Sequence, residues 1–169
     1  VGLALVIDVS KHLNQIVELD TAERTVTVEP GIVLDQLNAQ LKPHGLFFPV
    51  DVSTANRATL GGMTGNNSCG SRSIRYGNMV HNVSAIDALL ADGSKLHLNS
   101  LTGRQFDSET SSHVDLVNKL LSLGEREAAE IAQRFPDLLR RVGGYNIDVL
   151  SQESPNMSHL LVGSEGTLA

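Results

Sequence analysis

One stretch constrains this chain more than any other. Residues 58–77 read "ATLGGMTGNNSCGSRSIRYG" and contain five glycines, two arginines and no acidic residue. No acid occurs anywhere between Asp51 and Asp87, although the chain has 19 Asp and Glu residues and a formal net charge of -6. Residues 46–82 also lack sustained periodicity, which predicts an extended, loop-rich segment with at most one short helix. Loops of this length inside a compact domain are usually functional.

The same stretch has the residue types that a negatively charged ligand requires. Because no acid interrupts this part of the sequence, Arg57, Arg72 and Arg75 leave the local field positive. Gly61-Gly62 has no β-carbons, so its backbone N–H groups can approach an anion, although in isolation this pair is more typical of a tight turn. Neutral hydrogen-bonding groups that can orient a polar cofactor are supplied by Asn66, Asn67, Ser68 and Ser71.

The composition limits the classes of function. A chain of 169 residues that is 41% hydrophobic and 19% charged is typical of one soluble globular domain, and no apolar run reaches the roughly 18 residues of a membrane span. The acidic balance makes nucleic acid a poor partner. The single Cys69 excludes an internal disulfide and indicates a cytoplasmic protein, at most peripheral to the inner face of the membrane. The chain opens at Val1 inside an apolar run, which we interpret as a fragment of a longer protein.

The hydrophobic patterns predict an α+β protein made of two unequal parts. Strand patterns occur at 3–10, 15–20 and 24–30. Helical patterns occur at 33–41, at 114–121 before a stop at Gly124, and at 128–135 before Pro136. Asp92-Gly93 lies between two apolar runs and predicts a hairpin.

Several standard sites are absent from the sequence. It contains neither the G-x-x-x-x-G-K-[ST] loop of nucleotide hydrolases nor the G-x-G-x-x-G turn of Rossmann proteins. Ser164 directly follows Gly163, so "GSEGT" is not the G-x-S-x-G turn of a serine nucleophile. The six histidines show no paired ligand spacing and the lone cysteine gives no C-x-x-C, so we predict no metal site.

Five separated motifs together resemble one known family. They are "VEPGIVLDQL", "FFPVDVSTANRATLGGMTGNNSCGSRSIRYGNMVHNV", "ADGSKL", "GGYNID" and "LLVGSEGTLA". This set resembles the FAD-binding domain of FAD-linked oxidases, the vanillyl-alcohol-oxidase superfamily, particularly its branch of D-lactate, glycolate and D-2-hydroxyglutarate dehydrogenases. The resemblance covers nearly the whole chain. The wording "NNSCGSRSIRYG" is most similar to large bacterial members that carry an iron–sulfur region further along the same chain.

The resemblance implies a fold and a division into parts. The fold would be an FAD-binding type-2, PCMH-like domain of the α+β class. Residues 1–45 would be a small β-rich remnant of the first FAD-binding subdomain. Residues 46–169 would be the second subdomain, incomplete at its C-terminus, with a larger antiparallel sheet flanked by helices.

The resemblance also assigns contacts to a non-covalent FAD. A proline- and serine-bearing turn followed by a T-x-G-G segment would line the flavin and its pyrophosphate through Pro49, Asp51, Ser53, Thr59, Leu60, Gly61 and Gly62. Contacts around the isoalloxazine and ribityl groups would continue through Asn66, Gly70, Ser71, Tyr76 and Gly77. The closing turn at 163–168 would cover the adenine end through Gly163, Glu165 and Gly166.

The implied function is that of an FAD-dependent oxidoreductase acting on CH–OH groups. The parent protein would oxidise a small D-2-hydroxy acid and pass the electrons to an acceptor such as an iron–sulfur region of the same chain. An earlier glycine-rich loop, the continuation of the closing motif and the substrate domain with its catalytic histidines would all lie outside these 169 residues. We therefore assign no catalytic residue, and expect the chain alone to be inactive and to bind FAD weakly or not at all. The alternatives are a degenerate flavin fold used as a non-catalytic scaffold and, less favoured, an NADPH-dependent sugar-nucleotide reductase.

Individual side chains also have simpler interpretations. Cys69 is expected to be a small buried residue and not a covalent flavin tether. Arg72 and Arg75 are as compatible with surface carboxylate partners as with the flavin or a substrate carboxylate. His81 is expected to be structural, and Glu165 to stabilise its turn by hydrogen bonding to backbone.

Overall fold

The computed structural model describes residues 7–102, 106 and 111–169, with the backbone alone for residues 111 and 112. The helices and strands in chain order are β1 (Ile16–Asp20), β2 (Thr25–Val28), α1 (Leu34–Leu41), α2 (Leu60–Gly65), α3 (Ser73–Tyr76), β3 (Ile86–Leu89), β4 (Lys95–Leu98) and α4 (Ser111–Arg134). Short 3-10 turns occupy Lys42–His44, Met79–Asn82, Ile147–Ser151 and Met157–Leu160. The mixture agrees with the predicted α+β class.

Strands β1 and β2 form the first antiparallel hairpin, as their alternating pattern predicts. Asp20 Oδ1 accepts the backbone N–H groups of Ala22 at 2.8 Å and Glu23 at 2.9 Å, which closes the turn between the strands. The strand predicted at 3–10 is not formed in its described part, because residues 7–10 are irregular. There the chain turns so that the Leu13 carbonyl accepts the Gly31 N–H at 2.7 Å. Residues 3–6 lie outside the described residues.

The first hydrophobic core lies under α1. Leu34, Leu37 and Leu41 recur at helical spacing and are all buried. They pack with other buried side chains, namely Ile32, Val50, Leu60, Met63, Met79 and Val162. Since Val162 belongs to this group, the end of the chain packs against the same core as α1 and α2.

The second hydrophobic core lies between α4 and the turn Ile147–Ser151. Two helices separated by Gly124 were predicted here, and this prediction was wrong: α4 runs without interruption from Ser111 to Arg134. Gly124 is buried, and a β-carbon on it would overlap Leu150. The glycine therefore permits a close approach between two elements and does not end a helix. No helix in the described part of the chain is long and apolar enough to cross a membrane.

Strands β3 and β4 form the second antiparallel hairpin around Asp92-Gly93, as predicted. Gly93 has a φ of 84°, and Asp92 Oδ1 accepts both the N–H and the hydroxyl of Ser94, at 2.9 and 2.6 Å. Leu96 and Leu98 of β4 are buried in the second core. Within the described residues this sheet has two strands, so the larger antiparallel sheet stays a prediction. The division at residue 45 also stays a prediction.

Candidate functional site

The first two sequence motifs are joined by backbone hydrogen bonds. Residues 30–34 run antiparallel to residues 58–61, with a bridge between Val33 and Thr59. Leu34 N–H donates to Ala58 O and Leu60 N–H donates to Ile32 O, both at 2.9 Å. This short ladder fixes where α2 begins.

The two glycines at the start of α2 have different surroundings. Gly61 N–H donates to Pro30 O at 2.8 Å, and Gly62 N–H donates to the Thr59 hydroxyl, which caps the helix, at 3.3 Å. A β-carbon on Gly61 would lie 2.7 Å from Pro30 Cβ, whereas on Gly62 it would approach only Thr59 Oγ1, at 3.1 Å. Both amides have acceptors within the fold, so the contact of this glycine pair with an anion stays a prediction. Because Gly62 is exposed and has no side chain, its main chain is accessible at the surface.

The closing motif meets the other end of α2. Gly163 N–H donates to Thr64 O and Glu165 N–H donates to Gly65 O, both at 2.9 Å. Glu165 has a φ of 54°, an uncommon value for a residue with a side chain, and its side chain is exposed. The Glu165 backbone amide joins the turn to α2, and within the described residues its side chain has no hydrogen bond to backbone, so the predicted side-chain role stays a prediction. The T-x-G-G and G-S-E-G-T motifs are thus adjacent in space.

The "GGYNID" motif packs beside the same turn. Tyr145 Oη lies 2.8 Å from Thr167 Oγ1. Asn146 is buried, and its amide donates to Val162 O at 2.8 Å and to His159 O at 3.2 Å. Four separated motifs therefore form one hydrogen-bonded unit around α2.

The Asp51 side chain holds the loop 70–73 in place by hydrogen bonds. Its carboxylate accepts the Ser71 hydroxyl at 2.7 Å and the Arg72 N–H at 2.9 Å. Burial works to raise the pKa of Asp51, but these two hydrogen bonds and the nearby Arg72 charge outweigh it and hold that pKa below its usual value. Gly70 is required here because a β-carbon would overlap the Asp51 backbone. Folding thus brings one carboxylate to the edge of the stretch that is acid-free in sequence.

The arginines of this stretch rest on aromatic rings. Arg72 Cζ lies 5.8 Å from the centroid of the Phe47 ring, and Arg75 Cζ lies 5.3 Å from that of Tyr76. The two rings meet edge to face with centroids 5.9 Å apart. Among the described residues neither guanidinium is within ion-pair distance of a carboxylate. Of the two interpretations of these arginines, a surface ion pair is therefore not the one observed.

His81 has the structural role expected of it. Its Nδ1 accepts the Asn78 N–H at 3.0 Å, and its ring packs where a β-carbon on Gly77 would stand. Gly77 has a φ of 76°, so both its conformation and its neighbour require glycine.

The fifteen predicted FAD contacts divide into six exposed residues, eight half-buried residues and one buried residue. Those exposed are Ser53, Gly62, Asn66, Ser71, Glu165 and Gly166. Those half-buried are Pro49, Asp51, Thr59, Gly61, Gly70, Tyr76, Gly77 and Gly163. Leu60 is buried in the first core, so its side chain serves packing and only its backbone is near the others.

Sequence reasoning missed the role of residues 140 and 141 in this unit. Arg140 Nη2 donates to Cys69 Sγ at 3.4 Å, and Cys69 is half-buried. The Arg141 carbonyl accepts the amides of Asn67 and Asn78, each at 3.4 Å. The sequence signal is the pair "RR" at 140–141, separated by three residues from "YN", but only the tertiary contacts show which arginine faces the unit.

Other kinds of site find no support in the described part of the chain. No group of three or more His, Cys, Asp or Glu residues there could hold a metal ion. A shallow depression of about 450 Å³ is formed entirely by α4 side chains, from Asp115 to Arg126, and includes none of the predicted contacts.

Comparison with protein families agrees with the geometry. The family model described as "FAD binding domain" matches residues 2–99, which is more than half of the chain. The chain belongs to the FAD-binding domain family. The matched range includes the paired motifs, α2 and the loop 66–77, whereas the other two motifs of the unit, at 143–148 and 160–169, lie beyond it.

Full-length relatives extend the similarity to the remaining residues. The chain is 37% identical over 169 residues to the D-2-hydroxyglutarate dehydrogenase of Pseudomonas putida, a match that covers 97% of this chain and 17% of that protein. It is 40% identical over 87 residues to the probable mitochondrial D-lactate dehydrogenase of Danio rerio, covering 52% and 17%. It is 40% identical over 84 residues to glycolate oxidase subunit GlcD of Bacillus subtilis, covering 49% and 18%. The chain thus spans about one sixth of the length of these relatives.

Proposed function

We propose that this chain is the FAD-binding portion of a flavin-dependent oxidoreductase that oxidises a D-2-hydroxy acid. The observation that carries the proposal is the hydrogen-bonded unit around α2, which gathers the family's separated motifs beside bare, exposed main chain at Gly62. A flat ring or a diphosphate can approach such a surface because no side chain covers it. Membership of the FAD-binding domain family names the ligand class.

The proposed contacts are the surface residues of that unit. The exposed main chain of Gly62 and Gly166 and the side chains of Ser53, Asn66 and Ser71 would meet the cofactor. The remaining predicted contacts with the cofactor are Pro49, Asp51, Thr59, Leu60, Gly61, Gly70, Tyr76, Gly77, Gly163 and Glu165, and some of these would also position the exposed ones. Asp51 and Thr59 show how this works, because their side chains hold the loop 70–73 and the start of α2.

The reaction proposed for the parent protein is a two-electron oxidation. When bound, FAD would supply the redox chemistry for this oxidation, in which the alcohol carbon loses a hydride and the hydroxyl loses a proton, so that a 2-hydroxy acid becomes a 2-oxo acid. The residues of this chain would bind and orient the cofactor. A D-2-hydroxyglutarate-like substrate is favoured over D-lactate or glycolate, because the relatives named for it match over nearly the whole chain.

The proposal also includes the division into subdomains, the electron acceptor and the cellular location. We place residues 1–45 in the first FAD-binding subdomain and residues 46–169 in the second, within a PCMH-like, type-2 domain. The final electron acceptor would be an iron–sulfur region of the same parent protein, and the location cytoplasmic.

The test is to prepare the full-length protein and record its visible spectrum. Bound flavin, and loss of its visible absorption on anaerobic addition of D-2-hydroxyglutarate, D-lactate or glycolate, is the expected result. Colourless protein that takes up no added FAD would indicate the scaffold alternative. Bound flavin reduced by NADPH and by none of the three acids would indicate the reductase.

A further inference from the structure

Arg140 and Arg141 are adjacent in sequence but differ in their surroundings. The Arg141 guanidinium donates to Asp148 Oδ1 at 2.7 Å and lies 4.7 Å from the centroid of the Phe135 ring. Arg140 is exposed, and within the described residues no carboxylate is close enough to pair with it. Its recorded partner is the Cys69 sulfur, a weak acceptor. Arg141 is thus engaged within the fold, whereas Arg140 keeps most of its donors for another group.

The backbone holds Arg140 at the proposed flavin site. The next carbonyl, that of Arg141, accepts two amides from the buried Asn67 and Asn78. On the far side of the loop, Tyr145 hydrogen-bonds Thr167 of the closing turn. The Arg140 guanidinium therefore lies beside segment 66–71, which contributes Asn66, Gly70 and Ser71 to the proposed contacts.

The charge at this position indicates the ligand chemistry. A guanidinium presents several donors in a planar fork that matches the two oxygens of a carboxylate. The chain has 19 acidic residues, yet none in the described part pairs with this arginine, whereas Arg126 and Arg134 of α4 pair with Glu127 and Glu130.

We propose that Arg140 binds a carboxylate of the substrate at segment 66–71, and that this group is the second carboxylate of a dicarboxylic 2-hydroxy acid. The inference rests on the proposed function and deepens it by naming the substrate class. Relatives whose match spans 97–98% of the chain, and therefore includes residue 140, are named for D-2-hydroxyglutarate, a dicarboxylate. The FAD diphosphate is the other anion within the proposed site, and the experiment separates the two.

The first measurement uses Cys69 as a reporter in the full-length, FAD-loaded protein. Glutarate, a dicarboxylate with no hydroxyl to oxidise, should bind at Arg140 beside the Cys69 sulfur and shield it, which slows alkylation of Cys69 measured by mass spectrometry of its peptide. In Arg140→Gln the same glutarate concentration should leave the alkylation rate unchanged. The control Arg126→Gln should respond as the original protein does. Equal slowing in Arg140→Gln would overturn the proposal.

The second measurement follows flavin reduction. Arg140→Gln should raise the half-saturating concentration of D-2-hydroxyglutarate by about tenfold or more, the size expected for loss of a charge-assisted hydrogen bond, and change that of D-lactate much less. Its FAD content should equal that of the original protein. Loss of FAD from Arg140→Gln would assign the arginine to the diphosphate and overturn the proposal. Flavin reduced with unchanged half-saturation would overturn this inference alone, whereas original protein without flavin would overturn the proposed function as well.

Discussion

At the scale of single residues, Gly61 and Gly62 show that neighbouring glycines can serve different purposes. Gly61 lets α2 approach Pro30, because a β-carbon there would lie 2.7 Å from the proline side chain. Gly62 is exposed, a β-carbon on it would approach only the Thr59 hydroxyl at 3.1 Å, and it leaves the proposed cofactor surface uncovered. One glycine therefore serves packing and the other serves access.

Substitution at each glycine separates these roles. Gly61→Ala should lower the free energy of unfolding by about 1–3 kcal/mol, because the added methyl group forces Pro30 or α2 to shift. Gly62→Val should change it by less than about 1 kcal/mol, the range of helix propensities, while removing most of the bound FAD from the full-length protein. Urea unfolding and flavin content per chain measure the two effects. Full flavin occupancy in Gly62→Val would show that the cofactor binds elsewhere.

His159 should make stability depend on pH. Burial lowers the pKa of His159 from its ordinary value near 6.5, although the hydrogen bond between its Nε2 and Val83 O, 3.1 Å long, acts in the opposite direction. The unfolded chain therefore binds this proton more readily than the folded chain. The stability present above pH 6.5 should be lost progressively as the pH falls through the folded-state pKa.

Chemical denaturation between pH 7.5 and 5 measures this effect, and the same series on His159→Gln is the control. The variant should lose the part of the pH dependence that begins near pH 6.5. An identical pH profile in both proteins would show that His159 is not responsible.

At the scale of elements, α4 shows that Gly124 is explained by its packing contact with Leu150 and not by the helix stop that its local sequence predicts. Gly124→Ala adds helix propensity of up to about 1 kcal/mol, but its methyl group would overlap Leu150 in the turn that packs on α4. Overpacking costs about 1–3 kcal/mol, so we expect net destabilisation. Gly143→Ala is the matched control, because nothing lies within 4 Å of its added methyl group. In thermal unfolding, only Gly124→Ala should have a melting temperature below that of the original protein. A higher melting temperature for Gly124→Ala would contradict the proposed contact.

The same contrast explains which elements could be predicted from sequence. The β1–β2 and β3–β4 hairpins and α1 depend on alternation, turn residues and helical spacing, all of which are local. The stop assigned to Gly124 failed because the reason for that glycine is Leu150, which is distant in sequence. For the site, the motifs indicated which segments matter, but the acceptors of the Gly61 and Gly62 amides and the contact between Arg140 and Cys69 depend on the fold.

At the scale of the whole molecule, Asn146 links the two hydrophobic cores. Its amide donates to the carbonyl of Val162, whose side chain is buried in the first core. Val149 and Leu150, which follow shortly after Asn146, are buried in the second core. The Asn146 side chain therefore connects the closing turn, the first core and the segment that packs on α4.

Removing this side chain should weaken both cores together. Asn146→Ala removes the amide that donates to the buried Val162 carbonyl and to the His159 carbonyl. Both carbonyls lose this hydrogen bond, so we expect the free energy of unfolding to fall by about 2–3 kcal/mol. Asn118→Ala on the exposed surface of α4 should stay within about 0.5 kcal/mol of the original protein. Hydrogen exchange reports the cores separately, through the Leu37 amide, bonded to Val33 O, for the first and the Leu101 amide, bonded to Pro155 O, for the second. Because the two cores share Asn146, protection at both amides should fall by the same factor; a fall at only one of them would show that the cores unfold independently.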